Sequence, residues 1–336
     1  MQPVVAYAGL DRDEVRAILS LYHLEGPDEF GGCTGGRCAY WVRAGERKFV
    51  LRVSDNKGID EMIFEKEVLG HLERHELPVP RLVRNVAQGT FTPWSTRGRY
   101  VSLFEFMPGR VLGLFEVRPR HLRAVGQVLA RTHRALGSFP RRRAHAHDLR
   151  GVLRVLGRLQ NGYDKRRIAR RFGRDLDVLD HTLQLLREAP WSEALMGTVH
   201  GNPELESFRF VDHKVVGLCN FEQAISERWT WDLAAAIHAW CWVPSAEQQG
   251  GPAGTYDPDR VRSLLRAYHR MRPLTPGERA VLPHELRLAA ARQAVHSLYE
   301  SELRRRGAYR DYRQHTARLC ALEVPKAEEL VQLSLR

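Results

Sequence analysis

The chain changes character near residue 106, and this change restricts the folds that it can adopt. Before that point, "DRDEVRAILSLYH" begins with an acidic cap at Asp11 and has apolar residues at helical spacing, so it predicts an opening helix. The stretch "GGCTGGRCAYWVRAGERKFVLRVSD" then predicts a glycine-rich loop and a β-hairpin that turns at residues 44–46 and ends near Asp55. Another helical pattern occupies residues 59–74.

Two further strands are predicted around residues 89–92 and 99–106, and the patterns after them are mostly helical. We expect helices at about 119–136, 148–160, 175–188, 229–242, 257–271 and 283–304. The exception is a short hairpin, "SFRFV" and "VVGLC", that turns at residues 212–214. The sequence therefore predicts an α+β protein, with an antiparallel-sheet domain at 1–106 and a mostly helical domain at 107–336.

The composition is typical of a folded globular protein. Of the 336 residues, 43% are hydrophobic, which is enough to bury a core in about two domains. No apolar run approaches the roughly 18 residues of a membrane span, and the first residues lack the pattern of a signal peptide. The five cysteines form no C-x-x-C pair, which argues against a disulfide framework and against a zinc site. We therefore expect a cytoplasmic protein.

The positive charge is concentrated in one segment. The formal net charge is +12, and the stretch from Arg141 to Arg174 holds twelve arginines or lysines against only Asp148 and Asp164. Such a segment can attract a polyanion or an acidic protein. The alternative is that these arginines cover solvated faces of helices.

Several separated segments resemble one known family, in the same order along the chain. "KFVLRVSD" resembles its phosphate-contacting strand, and "FEKEVLGHLERHELPVP" resembles the helix that carries the acidic partner. "VLARTHRAL" and "WTWDLAAAIHAWCW" resemble two helices of its second lobe. The chain is therefore similar to the aminoglycoside phosphotransferase family of protein-kinase-like enzymes, and most similar to its homoserine kinase branch. The resemblance implies a two-lobed protein-kinase-like fold with a small antiparallel-sheet N-lobe and a mostly helical C-lobe.

The catalytic motifs are where the resemblance breaks down, in "VHGNPELESFRFVDHKVVGLCNFEQA". The family has H-[GA]-D-x-x-x-x-N and, one hairpin later, I-D-F or I-D-W. This chain has Asn202 at the position of the base, Ser207 at the position of the asparagine and Asn220 at the position of the metal-binding aspartate. A carboxamide cannot accept a proton as a base does, and loss of a general base typically costs about 10²- to 10⁴-fold in rate. Because Mg²⁺ prefers carboxylate oxygen, its binding is doubtful.

Three other carboxylates lie close in sequence to the replaced ones. Glu204 and Glu206 belong to the same loop as Asn202, and Glu222 follows Asn220 by two residues. If one of them binds the metal ion, a slow or altered transfer survives. The alternative, which we favour for Glu204 and Glu206, is that they are solvent-facing charges, and an acid at the position of Glu222 is common in the family.

The nucleotide-binding half of the motif set is better preserved. By resemblance, Arg52 stands at the position of the phosphate-contacting lysine and Glu65 at that of its acidic partner. An arginine can bind phosphate through two parallel hydrogen bonds, although its geometry differs from that of lysine. A strand-to-helix salt bridge without ligand binding is the alternative. Binding of ATP or ADP without transfer is the expectation that follows.

Further contacts to the nucleotide are implied by the glycine-rich loop and by the segment before the second lobe. The loop contains Gly32, Gly35 and Gly36, whose backbone amides can approach phosphates. Residues Glu105 to Met107 would, by resemblance, offer backbone groups to an adenine ring.

His200 and Asp232 are expected to support the loop that carries Asn202. By resemblance, Asp232 braces this loop through backbone amides, although it would also be a favourable first-turn acid of its helix. His200 is expected to be structural.

The sequence favours a pseudokinase that binds a nucleotide, a small metabolite or a protein partner. The rival hypothesis is an active ATP-dependent small-molecule kinase with atypical metal ligands. Transfer of another group, such as a nucleotide, ranks below both because no residue specifically requires it.

Overall fold

The computed structural model describes residues 10–33, 39–55, 57–94, 99–145, 148–161, 165–245, 254–303, 313–323 and 326–335. The chain divides into two compact units. Unit 1 consists of Met1–Val111 and Glu206–Gln223, and unit 2 consists of Leu112–Leu205 and Ala224–Arg336. The predicted boundary at residues 106 and 107 lies five residues before the end of the first segment of unit 1.

The described residues form both strands and helices, numbered in chain order. The strands are β1 (Glu29–Gly32), β2 (Ala39–Ala44), β3 (Arg47–Ser54), β4 (Thr92–Trp94), β5 (Arg99–Glu105), β6 (Met196–Val199), β7 (Phe208–Val211), β8 (Lys214–Leu218), β9 (Ile225–Arg228), β10 (Trp242–Pro244) and β11 (Gly254–Tyr256). The helices are α1 (Arg12–Ser20), α2 (Ile59–Arg74), α3 (Pro119–Leu136), α4 (Leu149–Asn161), α5 (Lys165–Arg187), α6 (Trp229–Trp240), α7 (Pro258–Met271), α8 (Pro276–Leu303), α9 (Arg313–Ala321) and α10 (Lys326–Leu335).

Unit 1 is built on a five-stranded antiparallel sheet with the strand order β1-β2-β3-β5-β4. Side chains alternate between the two faces of a strand, so Leu51 and Val53 of β3 point to one face and Arg52 points to the other. Leu51 and Val53 are buried in a core that α1 covers with Val15 and Ile18. The alternation in "FVLRV" therefore buries the apolar side chains and leaves Arg52 on the face that carries the candidate site.

The β7–β8 hairpin belongs to unit 1, although it follows the first 205 residues of the chain. The backbone N–H of Leu218 donates to the carbonyl of Pro78 (2.6 Å), and Arg110 and Phe210 exchange two backbone hydrogen bonds of 2.9 Å. Phe208 and Phe210 are buried. These contacts bring Ser207, before the hairpin, and Asn220, after it, to the same unit as Arg52.

Unit 2 is mainly helical. Helix α3 packs on α7, α6 packs on α8, and α4 and α5 pack on each other and on α8. The strands β6 and β9 pair antiparallel, from Met196 with Arg228 to Val199 with Ile225. This pairing places the loop after β6 beside the start of α6. None of the helices within the described ranges is long and apolar enough to cross a membrane.

Several sequence predictions are confirmed, and others are wrong at their boundaries. The helices predicted at 59–74 and 119–136 have these bounds in the structure. The predicted helix at 283–304 begins earlier, at Pro276, because Pro283 lies inside α8 and does not break it. The predicted helix at 175–188 also begins earlier, at Lys165.

Some elements were not predicted at all. They are α9, α10, the strand β1, which includes Gly31 and Gly32 of the predicted glycine-rich loop, and two pairs of short strands, β6 with β9 and β10 with β11. The sequence predicted the 212–214 hairpin as the only strand pair after residue 106, and this was wrong. Strands of three or four residues carry too little alternation to be recognised.

Candidate functional site

A cavity of about 820 Å³ lies in unit 1 and is lined by residues of the sheet, of α2 and of the segment that contains the β7–β8 hairpin. Its apolar wall includes Trp41, Val50, Phe104 and Met107. Ligand pockets typically measure about 300–1,000 Å³ and combine apolar walls with a few charged groups. The cavity therefore has the size and the mixed apolar and charged lining of a small-molecule site.

Arg52 of β3 lines this cavity, and its guanidinium group forms ion pairs with two carboxylates. Its Nη2 donates to Oε1 of Glu65, and its Nη1 donates to Oε2 of Glu222 (3.2 Å). The guanidinium carbon lies 5.1 Å from the centre of the Phe104 ring. Burial opposes the charge of Arg52, but Glu65 and Glu222 outweigh burial and raise its pKa. Arg52 is therefore cationic and fixed in orientation.

Two lysines join the same cluster. Nζ of Lys57 lies 3.4 Å from Oε2 of Glu65 and 3.3 Å from the backbone carbonyl oxygen of Glu222. Nζ of Lys66 lies 3.4 Å from Oε1 of Glu65. Burial alone would raise the pKa of Glu65, but Arg52, Lys66 and Lys57 hold it well below its usual range. Three basic side chains thus surround two carboxylates beside the cavity.

Lys66 is a buried cation of this cluster. Its side chain is 4% exposed, and its Nζ lies 4.6 Å from the centre of the Phe104 ring. Burial, together with the charge of Arg52, lowers the pKa of Lys66 to about 7, although Glu65 acts in the opposite direction. Lys66 is therefore a cation that unit 1 only partly stabilises.

Asn220 and Ser207, which by resemblance stand at the aspartate and asparagine positions of the motif, are neutral side chains that contact each other. Nδ2 of Asn220 donates to Oγ of Ser207 (3.3 Å) and approaches the carbonyl oxygen of Glu206 (3.4 Å). Asn220 has a φ of 67°, in the left-handed region that asparagine and aspartate tolerate best among residues other than glycine. Because Mg²⁺ prefers charged oxygen ligands in octahedral geometry, these donors fit it poorly.

The three acids near the replaced residues lie in different surroundings. Glu206 lines the cavity, whereas Glu222 is paired with Arg52. Glu204 belongs to unit 2, where it acts electrostatically on Arg292. Within the described ranges, no group of three His, Cys, Asp or Glu side chains converges as a metal site would require.

Asp232, in unit 2, holds the loop that carries Asn202. Its Oδ2 accepts from the backbone N–H of His200 and its Oδ1 from that of Gly201, both at 2.8 Å. Oδ2 also lies 2.9 Å from Nε2 of His133 on α3. Burial would raise the pKa of Asp232, but the hydrogen bond and charge of His133 outweigh it and lower the pKa. This buried carboxylate thus connects α3, α6 and the loop.

Two tryptophans of α6 bind the carbonyls of the same loop. Nε1 of Trp231 donates to the carbonyl of Gly201 (3.1 Å), and Nε1 of Trp240 donates to that of Pro203 (3.0 Å). The backbone N–H of Asn202 contacts Nδ1 of His200 at 3.3 Å. The backbone of the loop that carries Asn202 is therefore held in a fixed shape.

The remaining predicted residues are placed as follows. Gly32, Glu105 and Met107 line the cavity, whereas Gly35 and Gly36 lie outside the described residues. The N–H groups of Glu105 and Phe106 donate to the carbonyls of Arg81 and Lys48. An adenine ring would therefore have to use carbonyl groups of this segment or the backbone of Met107.

Sequence reasoning missed several cations of unit 1, including Lys48 and Arg110, which also line the cavity. Lys57 and Lys66 contact Glu65, and Arg209 lines the cavity with its Nη1 bound to the carbonyl of Glu206 (2.9 Å). The only signal was the closeness of Lys66 to Glu65 in sequence, which says nothing about burial.

Solved structures share this fold. An amicoumacin kinase in complex with AMP-PNP, Ca²⁺ and Ami superposes with a TM-score of 0.67 at 14% identity, covering 96% of this chain and 94% of the other. An aminoglycoside phosphotransferase from Alicyclobacillus acidocaldarius superposes with a TM-score of 0.67 at 14% identity, covering 98% and 96%. The antiparallel sheet of unit 1 and the helices of unit 2 thus form the protein-kinase-like fold of small-molecule phosphotransferases, as the sequence predicted.

The sequence comparison narrows this class to one family. The profile of the Phosphotransferase enzyme family (APH) matches residues 34–274. A homoserine kinase of Acidiphilium cryptum is 28% identical over 302 residues, which cover 88% of this chain and 89% of the relative. The chain belongs to the phosphotransferase enzyme family.

Proposed function

We propose that this protein is a pseudokinase of the phosphotransferase family, which binds a nucleotide or a related phosphate-bearing metabolite in the cavity of unit 1 without transferring a phosphoryl group. The observation that carries this proposal is the contact between Asn220 and Ser207, two neutral side chains that satisfy each other where metal ligands are expected. The third replacement, Asn202, lies in the loop of unit 2. Its carboxamide can orient a hydroxyl group but cannot remove the proton.

Phosphate binding without a metal ion is supported by the cluster around Glu65. Arg52 is held in orientation by Glu65 and Glu222, and Lys57 adds a second cation. A guanidinium can bind phosphate oxygens through charge-assisted hydrogen bonds, with no need for a metal ion. The structural neighbour that contains AMP-PNP makes a nucleotide the first ligand to test. When bound, the nucleotide would place its phosphates against Arg52 and its base against the apolar wall.

Thermal unfolding tests the proposal directly, because a ligand that binds the native state raises the unfolding midpoint. The purified protein is unfolded with ATP and with ADP, each with and without Mg²⁺. We expect a rise that does not depend on Mg²⁺ and that is lost in Arg52→Gln. Arg47→Gln is the matched control, because Arg47 is an exposed arginine of the same strand that pairs with Glu105. A rise that requires Mg²⁺, or no rise at all, contradicts the proposal.

An active kinase with atypical metal ligands is the second candidate, and Glu206 is the observation that favours it. This carboxylate lines the cavity and neighbours Ser207 in sequence. The assay is phosphoryl transfer from labelled ATP to a panel of amino alcohols that includes homoserine. Turnover that disappears in Glu206→Gln and Asn202→Ala would establish this function and overturn the first.

Two expectations from the sequence remain predictions. One is a cytoplasmic location. The other is an acidic or polyanionic partner for the segment from Arg141 to Arg174.

A further inference from the structure

Two rows of exposed arginines lie on neighbouring helices of unit 2. The α4 row consists of Arg150, Arg154 and Arg158, and the α5 row consists of Arg166, Arg170 and Arg174. Residues four apart share one face of a helix, so each row forms a line of three guanidinium groups. With a rise of 1.5 Å per residue, each row is about 12 Å long.

Packing does not account for these rows, because each lies opposite the apolar face of its helix. In α4, Val152, Leu156 and Leu159 are at most 2% exposed. In α5, the buried side chains include Phe172 and Leu179. The helices therefore bury their apolar faces against the rest of unit 2 and present the arginines to solvent.

Local electrostatics disfavours both rows. Within the described ranges, none of the six arginines forms an ion pair with an acidic side chain. Like charges four residues apart destabilise a helix by about 0.2–0.5 kcal/mol per pair. Asp148 caps α4 by accepting from the backbone N–H of Gly151 (2.9 Å), whereas α5 has no acid in its first turn, where Arg166 opposes the helix dipole. The six guanidinium groups are thus not neutralised by ion pairs among the described residues, although Asp148 lies at the start of α4 and α5 also carries Asp175, Asp177 and Asp180.

Helix α7 shows that arginines at this spacing can have favourable local interactions. Arg262, Arg266 and Arg270 repeat the same four-residue spacing. However, Arg262 pairs with Asp259, and Arg270 lies in the last turn, where a cation is favourable. Two of the three arginines of the α7 row are therefore compensated, and the row offers a control of equal charge and spacing.

We propose that the α4 and α5 rows form a binding surface for nucleic acid, which contacts backbone phosphates without reading the base sequence. Guanidinium groups bind phosphate oxygens bidentately, and duplex DNA carries one charge per about 1.7 Å of its axis. A row about 12 Å long therefore spans roughly three or four phosphates of one strand. A membrane fits less well, because no large hydrophobic side chain is exposed among the described residues of 148–174.

Fluorescence anisotropy tests the surface with a labelled 20-nucleotide single-stranded DNA and the RNA of the same sequence. We expect dissociation constants of about 10⁻⁶–10⁻⁴ M that weaken steeply between 50 and 200 mM salt, as is typical of non-specific binding. The triple variant Arg150→Gln, Arg154→Gln, Arg158→Gln should bind at least about 10-fold more weakly. Its salt slope should fall by about 2, because each lost phosphate contact on a single strand contributes about 0.7. The corresponding α5 variant should behave in the same way.

The control variant Arg262→Gln, Arg266→Gln, Arg270→Gln should bind the nucleic acids like the unmodified protein. Equal weakening in this control would overturn the proposal, since it would show that only net charge matters. No binding at 50 mM salt would overturn it as well, as would tighter binding of poly-glutamate or of phosphatidylserine vesicles. Circular dichroism checks that each variant is folded. The nucleotide-induced thermal shift should not change in any of them, which separates this surface from the cavity of unit 1.

Discussion

Arg52 forms ion pairs with two carboxylates, those of Glu65 and Glu222, which differ in their exposure. Glu65 is fully buried and orients the guanidinium, whereas the side chain of Glu222 is 32% exposed. If a phosphate binds Arg52 from the cavity, as the proposed function requires, we expect it to displace Glu222 and not Glu65. Glu222 would then be an internal competitor for the same cation.

Removal of this competitor should strengthen nucleotide binding. We expect Glu222→Gln to lower the dissociation constant of ADP by about 2- to 5-fold, because a partly exposed ion pair contributes up to about 1 kcal/mol. Isothermal titration calorimetry without Mg²⁺ measures this change. Glu73→Gln is the control, since Glu73 pairs with Arg81 at the surface and its removal changes the net charge equally. Weaker binding in Glu222→Gln would mean that Glu222 contributes to the site.

The metal position can be restored by one substitution. In Asn220→Asp, a carboxylate replaces the amide beside Ser207, and its charge supplies the ligand that Mg²⁺ prefers. We expect the thermal shift produced by ADP to become larger in the presence of Mg²⁺ in this variant only. Asn161→Asp, at the end of α4, adds the same charge in unit 2 and should show no such effect. An unmodified protein that already responds to Mg²⁺ would contradict the prediction.

At the scale of elements, helix α2 carries Lys66, whose buried positive charge destabilises unit 1. The pKa of Lys66 is about 7 in the native protein, compared with about 10.4 for an unperturbed lysine. Between these values the unfolded chain binds more protons than the native protein, so the stability that Lys66 affects increases with pH. Below pH 7 Lys66 is protonated in both the native and the unfolded protein, so burial of its charge destabilises the native protein by the full amount.

Lys66→Met should therefore be more stable than the unmodified protein at pH 6. The difference should narrow by about 1–3 kcal/mol between pH 7 and pH 9, as the native lysine loses its proton. Urea unfolding of both proteins across this range measures it. A constant difference would show that Lys66 does not titrate in this range.

Asp232 connects α3, α6 and the loop after β6, and its replacement should affect all three. We expect Asp232→Asn to lose about 2–4 kcal/mol at pH 7, because hydrogen bonds to a charged group are worth about 1.5–3 kcal/mol each. Its native pKa is depressed, so this stability is present above about pH 4 and is lost as the pH falls through the native pKa. The gap between the two proteins should therefore narrow as the pH falls below about 4, and chemical unfolding at pH 7 and at about pH 3 checks this. An equal gap at both pH values would contradict it.

The elements that could be predicted from the sequence are those with local signals. Helix α2 begins at Ile59 and ends at Arg74, as its pattern predicted, because acidic residues in its first turn, basic residues in its last turn and the prolines that follow mark both ends. Helix α8 was predicted to begin at Pro283, since an interior proline usually breaks a helix, yet it continues through this residue from Pro276. The pairing of β6 with β9 depends on residues about thirty positions apart, which no local pattern reports.

The candidate site likewise contains residues that the sequence could identify and contacts that it could not. Arg52 and Glu65 could be found because their positions follow a family motif, and Asn220 and Ser207 because they break one. The convergence of Lys57 and Lys66 on Glu65 could not be predicted, because it depends on how α2 packs against β3 and on the segment that carries Glu222. Burial, which sets the pKa of Lys66, is a property of the folded unit and not of the segment.

At the scale of the whole molecule, unit 1 is discontinuous in sequence. Residues 206–223 return to it after 94 residues of unit 2 and contribute the buried side chains of Phe208, Phe210 and Leu218. They also supply Glu222 to Arg52 and line part of the cavity. Unit 1 can therefore not be completed by the first 111 residues alone.

Two fragments test this dependence. Residues 1–111 alone should unfold without a cooperative transition, because the hairpin partners of Pro78 and Arg110 are missing. Residues 1–111 joined to 206–223 should unfold cooperatively. A Gly/Ser linker of about ten residues is long enough, since Arg110 and Phe210 are hydrogen-bonded and a flexible linker of this length spans roughly 16–19 Å. Thermal circular dichroism of both fragments measures the transition.

The joined fragment also shows whether the hairpin acts through its buried face. Phe208→Ser with Phe210→Ser in the joined fragment removes two side chains that are at most 2% exposed but keeps the chain length and the linker. Replacing a buried aromatic side chain by a small one costs about 3–5 kcal/mol, so this variant should behave like residues 1–111 alone. If residues 1–111 alone unfold with the same midpoint as the joined fragment, unit 1 folds without the hairpin. The contacts of residues 206–223, including the pairing of Glu222 with Arg52, would then not stabilise unit 1.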